Sequence, residues 1–360
     1  MRSTFYIILF ALLLGCPCSQ ASASETIRVL IFDNQRSVTV SSGEGMIIDN
    51  SLSHPVPKTA TFTAAGMAKR FVQVQARGEL MKVNGKSYRG TIEVRRKTGG
   101  RLQVINDVDI EDYLKGVVAA EVPHDWHREA LKAQAVASRT YALYEKRHAG
   151  RRAFDIRATV DSQVYLGHKG ERSRAVQAVA DTEGEVVVYQ GEIIAAYYHS
   201  SCGGHTEDAS VLWGIDEPYL KGVDCDCQQI SKYGLWEKRF SLAAFVSALR
   251  KSGYRLGAVS AVSAGPITPG GRVKSVVFQG PRGVSTVPSE AIRSALGYMH
   301  IPSIFFEPEL LEDEVVFSGR GLGHGVGLCQ WGAQNMALQG SRYADILRYY
   351  YPGTTLARLP

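Results

Sequence analysis

The strongest constraint on this chain is a change of hydrophobic period near Asp109. From Thr26 to about Asp107 the residues run in short alternating segments rich in β-branched and aromatic side chains. Examples are Ile27-Arg28-Val29-Leu30-Ile31, Val38-Thr39-Val40, Phe71-Val72-Gln73-Val74 and Thr91-Ile92-Glu93-Val94, broken by Ser42-Gly43, Asn84-Gly85 and Gly99-Gly100. A period of two puts alternate side chains on one face of a strand, so this stretch predicts a β-rich lobe. Past it the spacing becomes helical. Asp109 can cap a helix running through Ile110-Glu111-Asp112-Tyr113-Leu114, which ends near Val122-Pro123 because proline holds its predecessor in extended backbone. A longer helix is predicted from about Arg128 to His148, with Leu131, Ala135, Ser138 and Ala142 along one face and Gln134 and Tyr141 beside it.

Further on, a helix near Arg172 to Asp181 leads into a hairpin, Glu185 to Tyr189 and Ile193 to Tyr198 about a Gln190-Gly191 turn. The segment from Ser241 to Pro302 reads as helix, two strands and helix, an inserted lobe. The predicted class is therefore α+β: a β-rich N-terminal lobe over 24–107, a core over 108–240 built of helices and a hairpin, an inserted mixed subdomain over 241–312, and the rest of the core over 313–360. With 360 residues, 45% of them hydrophobic and 21% charged, the chain is long enough for more than one lobe and is neither disordered nor fibrous.

Residues 1–23 read as a signal peptide: Arg2, an apolar stretch from Phe5 to Leu14, and a small-residue cleavage site at Ala21-Ser22-Ala23. Leu13-Leu14-Gly15-Cys16 reads equally as a lipobox, with lipid attached to Cys16. No later run reaches the roughly 18 apolar residues of a membrane span, so the membrane enters only through an N-terminal lipid anchor. The expected location is outside the cytoplasm, in the periplasm or cell envelope. The net charge of +6 is spread in short clusters such as Arg95-Arg96-Lys97, a solvated basic surface; nucleic acid is not an expected partner of an exported chain.

Three constellations can carry chemistry. Glu121 sits in the apolar run Val117-Val118-Ala119-Ala120-Glu121-Val122-Pro123, where desolvation would raise its pKa and keep it protonated as a general acid; the alternative is an outward-pointing surface carboxylate. The run Gly319 to Gly327 surrounds His324 but lacks the Gly-Lys-Ser/Thr ending of a phosphate-binding loop, so it predicts a tight turn presenting backbone N–H groups and His324 to a cleft; the alternative is a purely structural turn with a satisfied histidine. His199, Cys202, His205, Cys225 and Cys227 hold enough nitrogen and sulfur for a structural zinc, with Cys202, His205, Cys225 and Cys227 as its ligands. In an oxidising compartment a disulfide from Cys202 to Cys225 or Cys227 competes with that metal.

Three stretches resemble the SpoIID/LytB family of bacterial cell-wall proteins. They are Val108 to Pro123 with Glu129 to Tyr141; Tyr198-His199-Ser200-Ser201-Cys202-Gly203-Gly204-His205-Thr206-Glu207; and Gly319 to Ala333 followed by Tyr349-Tyr350-Tyr351-Pro352-Gly353. The resemblance implies cleavage of peptidoglycan glycan strands by a lytic transglycosylase route with Glu121 as the single acid and base. The muramic acid C6 hydroxyl then replaces water, no cofactor is required, and the product is a 1,6-anhydro sugar. It further implies that Gln134, Arg139 and Tyr141 position sugar or Glu121, and that His199, His324 and Gln330 line the cleft. Glycan stripped of stem peptides is the expected substrate form, with a wall amidase as the partner that strips it. A glycan-binding enhancer of wall amidases and a zinc-dependent wall hydrolase built on His199, Cys202 and His205 are the competing readings. Cys329 departs from the small hydroxyl residue common in the family, and its role is left open.

Overall fold

The computed structural model describes residues 25–51 and 56–359, and the expected signal peptide and lipobox lie outside them. Its lobes follow from the two periods. In the N-terminal lobe a six-stranded sheet runs in the order Ile156–Arg157, Thr26–Gln35, Leu102–Asp109, Thr91–Arg96, Phe71–Ala76 and Met46–Ile48. A four-stranded sheet runs Thr59–Thr63, Ser37–Ser41, Met81–Val83 and Lys86–Tyr88. Alternation decides which faces are buried: Val72 and Val74 point inward while Phe71, Gln73 and Gln75 do not. Val38, Val40, Val83, Val94 and Val104 fill the same core.

Helix α1 spans Ile110–Glu121. The Asp109 carboxylate caps it, accepting from the Glu111 and Asp112 N–H groups at 2.8 and 3.1 Å. Pro123 ends it, because Val122 is held extended at φ −133° and ψ 153°. Glu121 is therefore the last helical residue, at the end where the macrodipole disfavours a negative charge.

Helix α2, Arg128–His148, is the central strut and packs against α1, the strand Glu185–Tyr189 and α3, Ser173–Asp181. Ala133, Ala135, Val136, Ala137 and Ala142 let it be enclosed on nearly every side. A short helix α4, Ala209–Trp213, follows the hairpin region. The second arm of the expected hairpin divides: Glu192–Ile193 pairs with the first arm, whereas Tyr198–His199 leaves it and pairs in parallel with Leu328–Cys329.

The inserted lobe contains α5, Leu242–Lys251, and α6, Ser289–Leu296, with two three-stranded sheets and its own core of Phe245, Leu249, Phe278, Ile292 and Phe317. That core reaches past the limits 241 and 312, since Trp236–Ser241 pairs with Glu314–Gly319 and Phe240 and Val315 pack into it. Helices α7, Gln330–Leu338, and α8, Tyr343–Tyr350, return to the main core. Among the described residues no helix is long and apolar enough to cross a membrane.

Candidate active site

A cleft of about 620 Å³ opens over the end of α1. Its lining includes Glu121, Trp126, Tyr141, Asp161, Tyr197, Tyr198, His199, Trp213, His324, Gln330 and Trp331. Glu121 is half-buried, and its carboxylate accepts a hydrogen bond from the Val164 N–H at 2.7 Å. Burial pushes the carboxyl up to about 7, while the Val164 N–H and the Tyr198 and Gln330 side chains pull it the other way. It can thus hold or release a proton near neutral pH. The other carboxylate of the lining, Asp161, is exposed at the rim.

Behind Glu121 lies a buried polar relay. The Gln330 amide donates to Gln134 at 3.3 Å, and the Gln134 amide donates to the Ser138 hydroxyl at 2.9 Å. Gln163 accepts from the Tyr113 hydroxyl at 2.9 Å and donates to the Tyr198 hydroxyl at 3.0 Å. Such a network fixes the orientation of the groups that touch Glu121. Gln134 therefore backs Gln330 and is not itself a wall of the cleft, whereas Tyr141, His199, His324 and Gln330 are.

Arg139 lies elsewhere. It is fully buried, and its guanidinium makes two bonds to the Glu111 carboxylate at 2.7 and 2.6 Å and one to the Glu185 carbonyl at 3.0 Å. Of the two roles expected for it, positioning sugar or Glu121, direct contact with sugar does not fit: its bonds go to the helix interface, where it forms a clamp joining α1, which carries Glu121, to α2 and the neighbouring strand.

The glycine-rich run lies alongside residues 197–202. A Cβ at Gly323, where φ is +107°, would meet the His199 side chain at 2.9 Å, and one at Gly325 would collide with the Arg272 guanidinium. Only glycine permits this approach. Many of its N–H groups are spent inside the protein, as in a structural turn, rather than presented to the cleft: Arg320, Gly321, Leu322 and Gly323 donate to the Phe305, Tyr233, Ser201 and Pro302 carbonyls. His324 is likewise engaged. Its Nδ1 accepts from the Val326 N–H at 3.0 Å, which leaves Nε2–H to donate to the Tyr198 carbonyl at 2.9 Å. Burial lowers its pKa to about 4, so the ring is neutral. His199 differs: Nδ1 lies 3.1 Å from the Val326 carbonyl, to which it donates, and the buried Nε2 has no partner.

Aromatic rings form the walls. Trp126 and Trp331 meet edge to face with centroids 4.9 Å apart, and Tyr197 sits 5.0 Å from Trp213. Their faces suit the apolar faces of sugar rings. Trp126, Trp331, Tyr197, Tyr198, Trp213 and the Val164 N–H were not singled out by sequence reasoning. Only Trp331 and Tyr198 carried a signal, each lying within a motif beside a chosen residue.

The four cysteines of the described chain gather behind the cleft, with the sulfurs of Cys202, Cys225, Cys227 and Cys329 all within 4.8 Å of one another. All four are free thiols. The expected disulfide is not formed: Cys202 and Cys227, in hydrogen-bonding contact, have sulfurs 3.4 Å apart, against about 2.05 Å for a bond. His205 does not join the group, because its Nδ1 is occupied by the Thr206 carbonyl and its Nε2 faces Asp224 at 3.9 Å. The ligand set foreseen for a zinc hydrolase, His199, Cys202 and His205, is therefore not brought together.

Fold and site define an α+β protein whose aromatic-walled cleft is organised on one half-buried glutamate. A family model described as stage II sporulation protein matches residues 98–189, and one described as a domain of unknown function (DUF8618) matches residues 216–327. The chain is 33% identical over 273 residues to stage II sporulation protein D of Bacillus subtilis, covering 71% of this chain and 76% of that protein. It is 35% identical over 257 residues to an uncharacterized protein of Brachyspira hyodysenteriae, covering 70% and 68%. An amidase enhancer of Bacillus subtilis is 30% identical over 291 residues, 68% of this chain but 40% of that protein. The chain belongs to the stage II sporulation protein D family, whose members have a role related to the bacterial cell wall.

Proposed function

We propose that this protein cleaves the glycan strands of peptidoglycan as a lytic transglycosylase, in the cell envelope, with Glu121 as the single acid and base. The observation that carries the reading is a half-buried carboxyl, raised to about 7, on the floor of an aromatic-walled cleft. Protonated Glu121 gives its proton to the glycosidic oxygen as the C1–O bond breaks. The resulting carboxylate then takes the proton of the muramic acid C6 hydroxyl as that oxygen bonds to C1, closing the anhydro ring and restoring the acid. Ordinary glycosidases need a second carboxylate to activate water or attack C1. The exposed position of Asp161 favours the one-carboxylate route. His199 lines the cleft, with its Nε2 buried beneath the surface and unpaired.

A second reading is glycan binding without cleavage, in service of a wall amidase, and it is favoured by the likeness to the amidase enhancer. Incubating intact and peptide-stripped wall glycan with wild type and Glu121→Gln, followed by mass spectrometry, separates the two. Anhydro-muramyl ends from wild type alone support transglycosylation. Reducing ends would mean hydrolysis, and binding with no new ends would leave the enhancer reading.

A further inference from the structure

The four buried thiols belong to no step of that reaction, yet they come from three separate segments to one point. Cys202 follows the strand bearing His199, Cys225 and Cys227 flank the start of a short helical turn at Asp226–Gln229, and Cys329 is the N-cap residue of α7. Four cysteines used simply as small apolar side chains would need no polar partners. These have them. The Cys329 sulfur accepts from the Cys202 N–H at 3.3 Å and the Gly332 N–H at 3.4 Å. Tyr350 Oη lies 3.1 Å from the Cys225 sulfur and Ser201 Oγ 3.5 Å from that of Cys227. Donors aimed at sulfur match thiolates, and buried thiolates require a cation.

We propose that Cys202, Cys225, Cys227 and Cys329 bind one zinc ion in a closed tetrahedral site. Zinc–sulfur bonds of about 2.3 Å place tetrahedral sulfurs about 3.8 Å apart, consistent with a cluster whose sulfurs lie within 4.8 Å of one another. Binding takes up one Zn²⁺ and releases the four thiol protons, with no change of oxidation state. Four sulfur ligands leave no position for water, so the ion is structural. Gly332 makes room for it, since a Cβ there would lie 2.5 Å from the Cys225 sulfur and collide with the Tyr350 hydroxyl.

The site has a consequence for the cleft. Cys329 immediately precedes Gln330 and Trp331, and Cys202 lies three residues after His199. The ion would tie the loops that present these groups to Glu121 without touching substrate. It would also shield the thiols from oxidation in the envelope. This inference does not depend on what the cleft cleaves.

The test is metal analysis of wild-type protein produced with zinc present, by inductively coupled plasma mass spectrometry, with thiol titration before and after unfolding in chelator. One zinc per chain is expected, with Cys202, Cys225, Cys227 and Cys329 unreactive in the folded protein and reactive after unfolding, each located by mass mapping so that Cys16 and Cys18 are not counted. Cys329→Ser and Cys202→Ser should lose most of the zinc, whereas His205→Ala should keep it. If the cysteine variants do not fold, refolding wild type with cobalt(II) provides the same decision, since a tetrahedral tetrathiolate gives intense sulfur-to-cobalt absorption. Zinc below about one-fifth per chain with these four thiols reactive in the fold, a disulfide among them found by mass mapping, or loss of zinc in His205→Ala would each overturn the proposal.

Discussion

Glu121 should weaken the fold increasingly as pH rises from about 4.5 to about 7, and the size of the effect can be worked from its surroundings. The gap between its ordinary 4.5 and about 7 amounts, at about 1.4 kcal/mol per tenfold change, to roughly 3 kcal/mol in favour of the protonated form. Water at the open side of the cleft screens part of this, so about 1 to 3 kcal/mol is expected. The sign follows from linkage. Below about pH 4.5 the carboxyl is protonated in folded and unfolded chains alike and no penalty exists. As pH rises toward 7 the unfolded chain ionises while the folded one holds its proton, and stability falls; above 7 the full penalty applies. Glu121→Gln removes the ionisation but keeps an oxygen to accept from Val164. In urea denaturation at a series of pH values the variant should match wild type near pH 4, then become more stable, by about 1 to 3 kcal/mol at pH 8. Equal stability at pH 8, or a difference that does not change with pH, would refute a raised Glu121 pKa. The same protonation predicts that wild-type cleavage falls off above about pH 7.

Gln330→Ala removes a side chain that pulls the Glu121 carboxyl down, so the falling limb of the pH–rate profile should move to higher pH while kcat drops by about tenfold or more; a shift to lower pH would contradict this contact. Arg139→Met leaves Glu111 without its buried partner and should cost about 3–5 kcal/mol in chemical denaturation. A variant of wild-type stability that had lost activity would return Arg139 to a role at the substrate. Asp161→Asn should leave the yield of anhydro ends within about threefold of wild type, whereas a loss equal to that of Glu121→Gln would indicate two-carboxylate chemistry. Trp331→Ala should raise KM more than it lowers kcat, because the ring contributes apolar contact to sugar in ground and transition states alike; steady-state kinetics on stripped glycan checks it.

The α+β class, the Asp109 cap, the stop at Pro123 and the span of α2 were legible in sequence because each depends on neighbours in the chain: periodicity, capping and the conformation forced before proline. The family was legible for the same reason, since its motifs are contiguous runs. Glu121 could be picked out, but whether it was a buried acid or a surface carboxylate could not be decided. That depends on Val164, Tyr198 and Gln330, which reach it from 43, 77 and 209 residues away. Where the Arg139 and His205 side chains point was undecidable in sequence on the same ground. Within a helix nothing local told whether Arg139 faced sugar or Glu111, and within a loop nothing told that Thr206 would occupy the His205 ring.

The cysteines mark the boundary most clearly. Spacing alone paired Cys202 with Cys225 or Cys227 and included His205, because those residues are near in sequence. Only the parallel pairing of Tyr198–His199 with Leu328–Cys329 carries the sulfur of Cys329 across 127 residues to Cys202. Local chemistry thus determined which elements form and where they end. Long-range packing decided which side chains share a solvent-excluded space, and with it the proton on Glu121 and the meeting of four thiols.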